Sequence, residues 1–155
     1  MNIINKRDRK KISQPEKVYH MTARGNLESI LKDGKILADW AGECFFFKDL
    51  KDIPIYINLT GALKGRQYYD QIKGVLTVRT DPPLIISDTV ILCLTPRYKD
   101  NNWYKEITNP ERYNKSQEDI VNEFDNCRVM YHGDMKFKSS PEIIELSSIM
   151  TADTL

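Results

Sequence analysis

Lys17-Val18-Tyr19-His20-Met21-Thr22-Ala23-Arg24-Gly25-Asn26-Leu27-Glu28-Ser29-Ile30-Leu31-Lys32-Asp33-Gly34 passes from strand through turn to helix. Residues 17–21 alternate well enough for a strand, and the polar run from Thr22 to Asn26 supplies turn and cap candidates for a helix. Leu27, Ile30 and Leu31 recur at helical spacing, and Glu28 and Lys32 form a favourable i,i+4 pair. Gly34 offers the left-handed residue that ends such a helix, since it has no Cβ to clash there.

Outward from this unit the chain reads mainly as strands. Cys44-Phe45-Phe46-Phe47 predicts an aromatic strand. Residues 54–69 are ambiguous: Ile55, Tyr56 and Ile57 suit a strand, whereas Ile55, Leu59 and Leu63 fall at helical spacing, and we favour the helix. Residues 73–79 and 89–94 predict two buried strands, stopped by Asp81-Pro82-Pro83 and by Pro96. Residues 97–120 are polar and carry Trp103, Tyr104 and Tyr113, which predicts a long surface excursion. Strands over 127–131 and 143–146 complete an α+β domain with a split, mixed or antiparallel sheet and a few short helices.

The composition bounds the class without naming a partner. The chain has 155 residues, 41% hydrophobic and 29% charged, with a net charge of +1, so it is globular rather than disordered and no strongly basic scaffold. Cys44, Cys93 and Cys127 form no Cys-x-x-Cys pair and have only two histidines to help them, which supports neither a disulfide framework nor a zinc site. All three are expected in apolar strands, where a thiolate nucleophile is disfavoured. No apolar run suits a signal peptide or a membrane span, so a cytoplasmic protein is expected. Residues 1–16 carry Lys6, Arg7, Arg9, Lys10 and Lys11 with few apolar side chains, predicting a flexible basic arm before a single domain over 17–150 and a tail over 151–155.

His20 is the leading candidate for a chemically used residue. Thr22 shares its face, because strand side chains repeat every two residues, and an imidazole can hold a sugar or phosphate oxygen or move a proton near neutral pH. The plain alternative is a histidine satisfied at the sheet margin.

Tyr19-His20-Met21-Thr22, followed by the Asn26–Gly34 helix pattern, resembles the opening of the ADP-ribosyltransferase superfamily, including its DNA-modifying branch and the RNA 2′-phosphotransferases. The resemblance extends more loosely to Leu146. It implies an ADP-ribosyltransferase-like fold with NAD as cofactor and a protein or nucleic-acid acceptor. It also implies that His20 holds the ribose, with Tyr19 and Thr22 beside it. The aromatic strand, with Phe45 and Phe46, would be followed by a tyrosine stacking on nicotinamide: Tyr56, with Tyr69 as its rival. A flat aromatic face suits that cationic ring.

The family's glutamate near the start of the penultimate strand is replaced here by Arg128, with Glu123 the nearest acid. An arginine cannot act as a general base. Three readings follow: Glu123 polarises the ribose 2′-hydroxyl, Arg128 serves phosphate chemistry as in a 2′-phosphotransferase, or the domain binds a nucleotide without catalysing.

Overall fold

The computed structural model describes residues 8–72 and 74–150. The elements run β1 (Asp8–Lys11), β2 (Val18–Ala23), α1 (Leu27–Asp33), β3 (Lys35–Ile36), β4 (Glu43–Phe47), α2 (Asp52–Thr60), β5 (Arg66–Ile72) and β6 (Val75–Asp81). There follow β7 (Thr89–Leu94), β8 (Trp103–Ile107), α3 (Glu118–Asn126), β9 (Arg128–His132), β10 (Met135–Lys136) and β11 (Glu142–Glu145). Seven strands form one sheet in the order β1-β8-β9-β4-β2-β7-β11, every neighbouring pair antiparallel. With three short α-helices, this is the expected α+β class.

The opening unit forms as its sequence predicts. β2 is followed by a single 3-10 turn and then α1, which Gly34 ends at φ 66° while its N–H donates to the Ile30 carbonyl at 2.9 Å. Strand alternation then builds two cores. Val18, Phe46, Leu92, Val129 and the fully buried Trp103 pack on the face covered by α1, with Leu27 and Ile30 against them. Phe47, Ile91 and Leu146 pack with Ile53 and Ile57 of α2 on the other. Burying such side chains contributes about 1.5–3 kcal/mol each against exposure, so the sheet is fixed from both sides.

Four expectations change. Within the expected arm of residues 1–16, Asp8–Lys11 forms the edge strand β1, paired with β8 from Asp8↔Ile107 to Lys11↔Tyr104. Its side chains stay exposed, which explains the solvated composition, while the backbone groups on its inner edge are satisfied by β8. Residues 97–120 contain β8, whose Trp103 lies in the core; the polar flanks hide a strand whose pairing with β9 buries it. The strand over 75–81 exists but is not buried: it pairs only with β5 in a two-stranded ribbon, leaving Val75 at 63% and Leu76 at 55% exposure. Cys127 lies buried at the C-terminal end of α3 rather than in a strand.

The ambiguous segment divides between both readings. Helix α2 ends at Gly61, whose φ of 66° suits a left-handed cap, and the chain re-enters as β5, which contains Tyr69. The expected tail over 151–155 lies outside the described residues. Among the described residues no helix is long and apolar enough to cross a membrane.

Candidate functional site

A fork in the sheet creates the site. β2 pairs with β7 over its whole length and β4 pairs with β9 over its whole length, but β2 and β4 meet at the single pair Tyr19↔Phe47. Beyond that pair the ladder stops, so Met21 on one strand and Phe45 on the other lack the cross-strand bonding their register would give. A cleft of about 520 Å³ occupies this end of the molecule, lined by Met21, Thr22, Phe45 and Tyr56 and by the segment from Asp81 to Thr89. That volume is in the range of small-molecule sites.

Aromatic rings form one wall. The Tyr56 ring lies 5.6 Å from Phe45 at 40°, 5.1 Å from Phe47 edge-on, and 5.9 Å from Phe124 at 15° in a stacked pair. Beyond Phe124 the guanidinium of Arg128 sits 4.2 Å from that ring's centre. The amphipathic α3 thus backs the α2 tyrosine through Phe124.

The opposite wall is held by local geometry. Gly65 adopts φ +74°, and a Cβ there would meet the Asp81 carbonyl at 2.9 Å and Pro83 at 3.0 Å, so only glycine lets the start of the β5–β6 ribbon lie against its end. The Thr89 hydroxyl donates to the Ile85 carbonyl at 2.7 Å and fixes the loop into β7. Asp81 and Asp88 bring carboxylates to the rim, and no Lys, Arg or His is among the described residues lining the cleft.

Strand alternation separates the two leading candidates. His20 faces the α1 side with Val18 and Thr22, its ring 5.8 Å from Phe46 edge-on, whereas Tyr56 sits on the α2 side. Burial lowers the His20 pKa to about 4, and a bond to the Phe45 backbone opposes this only in part, so the imidazole is neutral near pH 7. That bond crosses from β2 to the strand across the fork, and His20 does not line the cleft. Thr22 lines the cleft while its hydroxyl accepts from the Asn26 side chain at 3.1 Å.

The other expected residues divide. Phe45 lines the cleft, while Phe46 is buried in the α1-side core. Tyr19 faces the α2 side, where burial and then the adjacent Cys93 raise its pKa. The side chain of Tyr69 lies outside the described residues. Arg128 opens β9, opposite Phe47, half-buried beneath Phe124. Glu123 is exposed on α3 and does not line the cleft. Sequence reasoning missed Met21 and the rim from Asp81 to Asp88; Asp81-Pro82-Pro83 reads as a strand stop, and its rigidity was the one available hint of a shaped wall.

Two of the three thiols, those of Cys44 and Cys127, are buried. Desolvation raises Cys44 and Cys127 each to about 11, so neither is a thiolate near neutral pH. No group of three or more metal-ligating side chains occurs among the described residues. The chain matches no protein-family model, no curated protein and no solved structure.

Proposed function

We propose that the domain binds NAD, or a related ADP-ribose-containing nucleotide, with the nicotinamide ring entering the fork cleft against the wall formed by Phe45 and Tyr56. The observation that carries this reading is the meeting of two aromatic rings with the end of the His20 strand at one apolar opening. A planar cation gains stacking and cation–π energy there, and the rim carboxylates of Asp81 and Asp88 favour positive charge over negative. The ribose would leave the cleft past Thr22 toward His20, whose neutral ring, with its N–H given to the Phe45 backbone, can accept one hydrogen bond from a ribose hydroxyl.

The activity proposed for such a site is transfer of ADP-ribose to a protein or nucleic-acid acceptor, with cleavage of the nicotinamide–ribose bond through an oxocarbenium-like state. One observation favours a second reading, a nucleotide-binding domain without catalysis. Glu123 stands outside the cleft and Arg128 occupies the position where the resemblance expects a glutamate.

Calorimetric titration of the whole chain with NAD, paired with a melting curve, tests binding. Ligand that binds only the folded state must raise the melting temperature by mass action. Neither heat nor a melting shift at millimolar NAD would overturn the proposal. Binding without nicotinamide release, across protein and nucleic-acid acceptors, would select the second reading.

A further inference from the structure

A second cavity, of about 620 Å³, lies at the opposite end of the sheet, where the chain leaves β7 and enters β11. Its walls are set by backbone bonds: Arg97 N–H to the Lys136 carbonyl at 2.9 Å, Lys138 N–H to Thr95 at 2.9 Å, and Phe137 N–H to Gly34 at 3.1 Å. Arg97, Lys138, Ser139 and Ser140 line it together with the apolar Leu31 and Pro141, and no carboxylate does.

The charge here is one-sided. The Arg97 guanidinium lies 5.4 Å from the centre of the Tyr98 ring and the Lys136 ammonium 5.9 Å from it, and Tyr98 and Lys136 line the neighbouring cavity together with Asp100 and Asp134. Among the described residues none of Arg97, Lys136 and Lys138 forms an ion pair. Glu142, next to Pro141, pairs in register with Cys93 and lies on the Tyr19 face of the sheet, and Asp33, next to Gly34, is not among the lining residues. Arg97 and Lys138 line this cavity with no ion-pair partner among the described residues, so an anion entering it would gain charge-assisted bonds.

The turn adds donors. Ser140 has φ 60°, the one positive value at a non-glycine among the described residues, a conformation that is costly for an L-residue and that concentrates at ligand sites. The N–H and hydroxyl groups of Ser139 and Ser140 make no hydrogen bond within the described residues. Two cations, a hydroxylated turn and an apolar shelf form the pattern that holds a phosphate by charge-assisted bonds and its organic part by contact.

We propose that this cavity binds a phosphate-bearing small molecule, with the phosphate between Arg97, Lys138 and the Ser139–Ser140 turn and any apolar portion against Leu31 and Pro141. The site is independent of the fork cleft, from which it is separated by the length of the sheet. Titration of the whole chain with inorganic pyrophosphate, adenosine monophosphate and adenosine tests it. Pyrophosphate and the monophosphate are expected to bind and adenosine not to. Tighter binding of the monophosphate would identify a nucleotide as the source of the phosphate, and tighter binding of pyrophosphate a free oligophosphate. The Arg97→Gln/Lys138→Gln variant is expected to keep its melting temperature and lose about tenfold or more in affinity for both. Excess nicotinamide, which the cleft reading seats by Tyr56, is expected to leave pyrophosphate binding unchanged. Absence of binding by both phosphates, their undiminished binding to the double variant, or competition by nicotinamide would overturn the proposal.

Discussion

The ring of Tyr56 stacks on that of Phe124, 5.9 Å apart and within 15° of parallel, so one face of the tyrosine proposed to meet nicotinamide is already packed against α3. Tyr56 therefore has two roles, and its substitutions separate them. Tyr56→Ala should destabilise the fold by roughly 2–4 kcal/mol, because a large half-buried ring is removed. It should also weaken ligand binding by roughly 1–3 kcal/mol through lost stacking. Tyr56→Phe should cost under about 1 kcal/mol in either quantity. Urea unfolding and NAD titration on the same preparations provide the check, and a Phe variant as weak in binding as Ala would remove stacking from the account.

His20 predicts a pH dependence of known sign. Its folded pKa of about 4 lies below the ordinary 6.5, so the folded state binds fewer protons than the unfolded state between those values. Its contribution is complete above pH 6.5, falls as pH drops toward 4, and changes little below that. The slope is at most about 1.4 kcal/mol per pH unit, less where water reaches the ring. His20→Gln should remove this component. Unfolding free energies measured from about pH 7 to about pH 4 for both chains would show it; identical slopes would mean that the imidazole titrates in the fold as it does in the unfolded chain.

Much of the fold was legible in the sequence because its local signals agree with its tertiary contacts. The Leu27–Asp33 helix and its Gly34 cap, the aromatic strand and β7 each carry a period, a breaker and a burial pattern that point the same way. The errors fall where those signals part. Val75, Leu76 and Val78 have strand propensity, and propensity cannot tell a ribbon standing off the sheet from a strand inside it. Trp103 sits between polar neighbours, and only its pairing opposite Tyr131 makes it core.

The candidate site was half legible for a related reason. Phe45, Tyr56 and Thr22 line one cleft, but alternation along β2 sends His20 to the other face. The rim between Asp81 and Thr89 depends on long-range contacts such as Gly65 against Pro83, which no local pattern encodes.

That contact gives a test of the cleft that touches none of its aromatic rings. Gly65→Ala places a Cβ against the backbone of Asp81 and Pro83 in a conformation that L-residues avoid. It should cost more than about 1 kcal/mol and displace the rim. The expected result is a lower melting temperature together with weaker NAD binding. Unchanged binding at lower stability would show that the rim does not contact the ligand.

Glu123 decides how far the proposed chemistry extends. A carboxylate that accepts a bond from a ribose hydroxyl acts mainly in the transition state, so its loss should lower turnover far more than binding. Glu123, however, is exposed on α3, and the helix turns Phe124 rather than its neighbour toward Tyr56. Reaching the cleft would require α3 to shift and break the Tyr56–Phe124 stack and the Arg128 contact with the same ring. Glu123→Gln should therefore bind NAD as the wild type does and release nicotinamide, where any is released, at the same rate. Asp88→Asn, which removes charge from the cleft rim itself, should weaken affinity for the cationic ring. Single-turnover measurement of nicotinamide release alongside titration separates the two variants. A fall in release of about a hundredfold or more for Glu123→Gln at unchanged affinity would place its carboxylate at the reacting ribose and require α3 to move during the reaction.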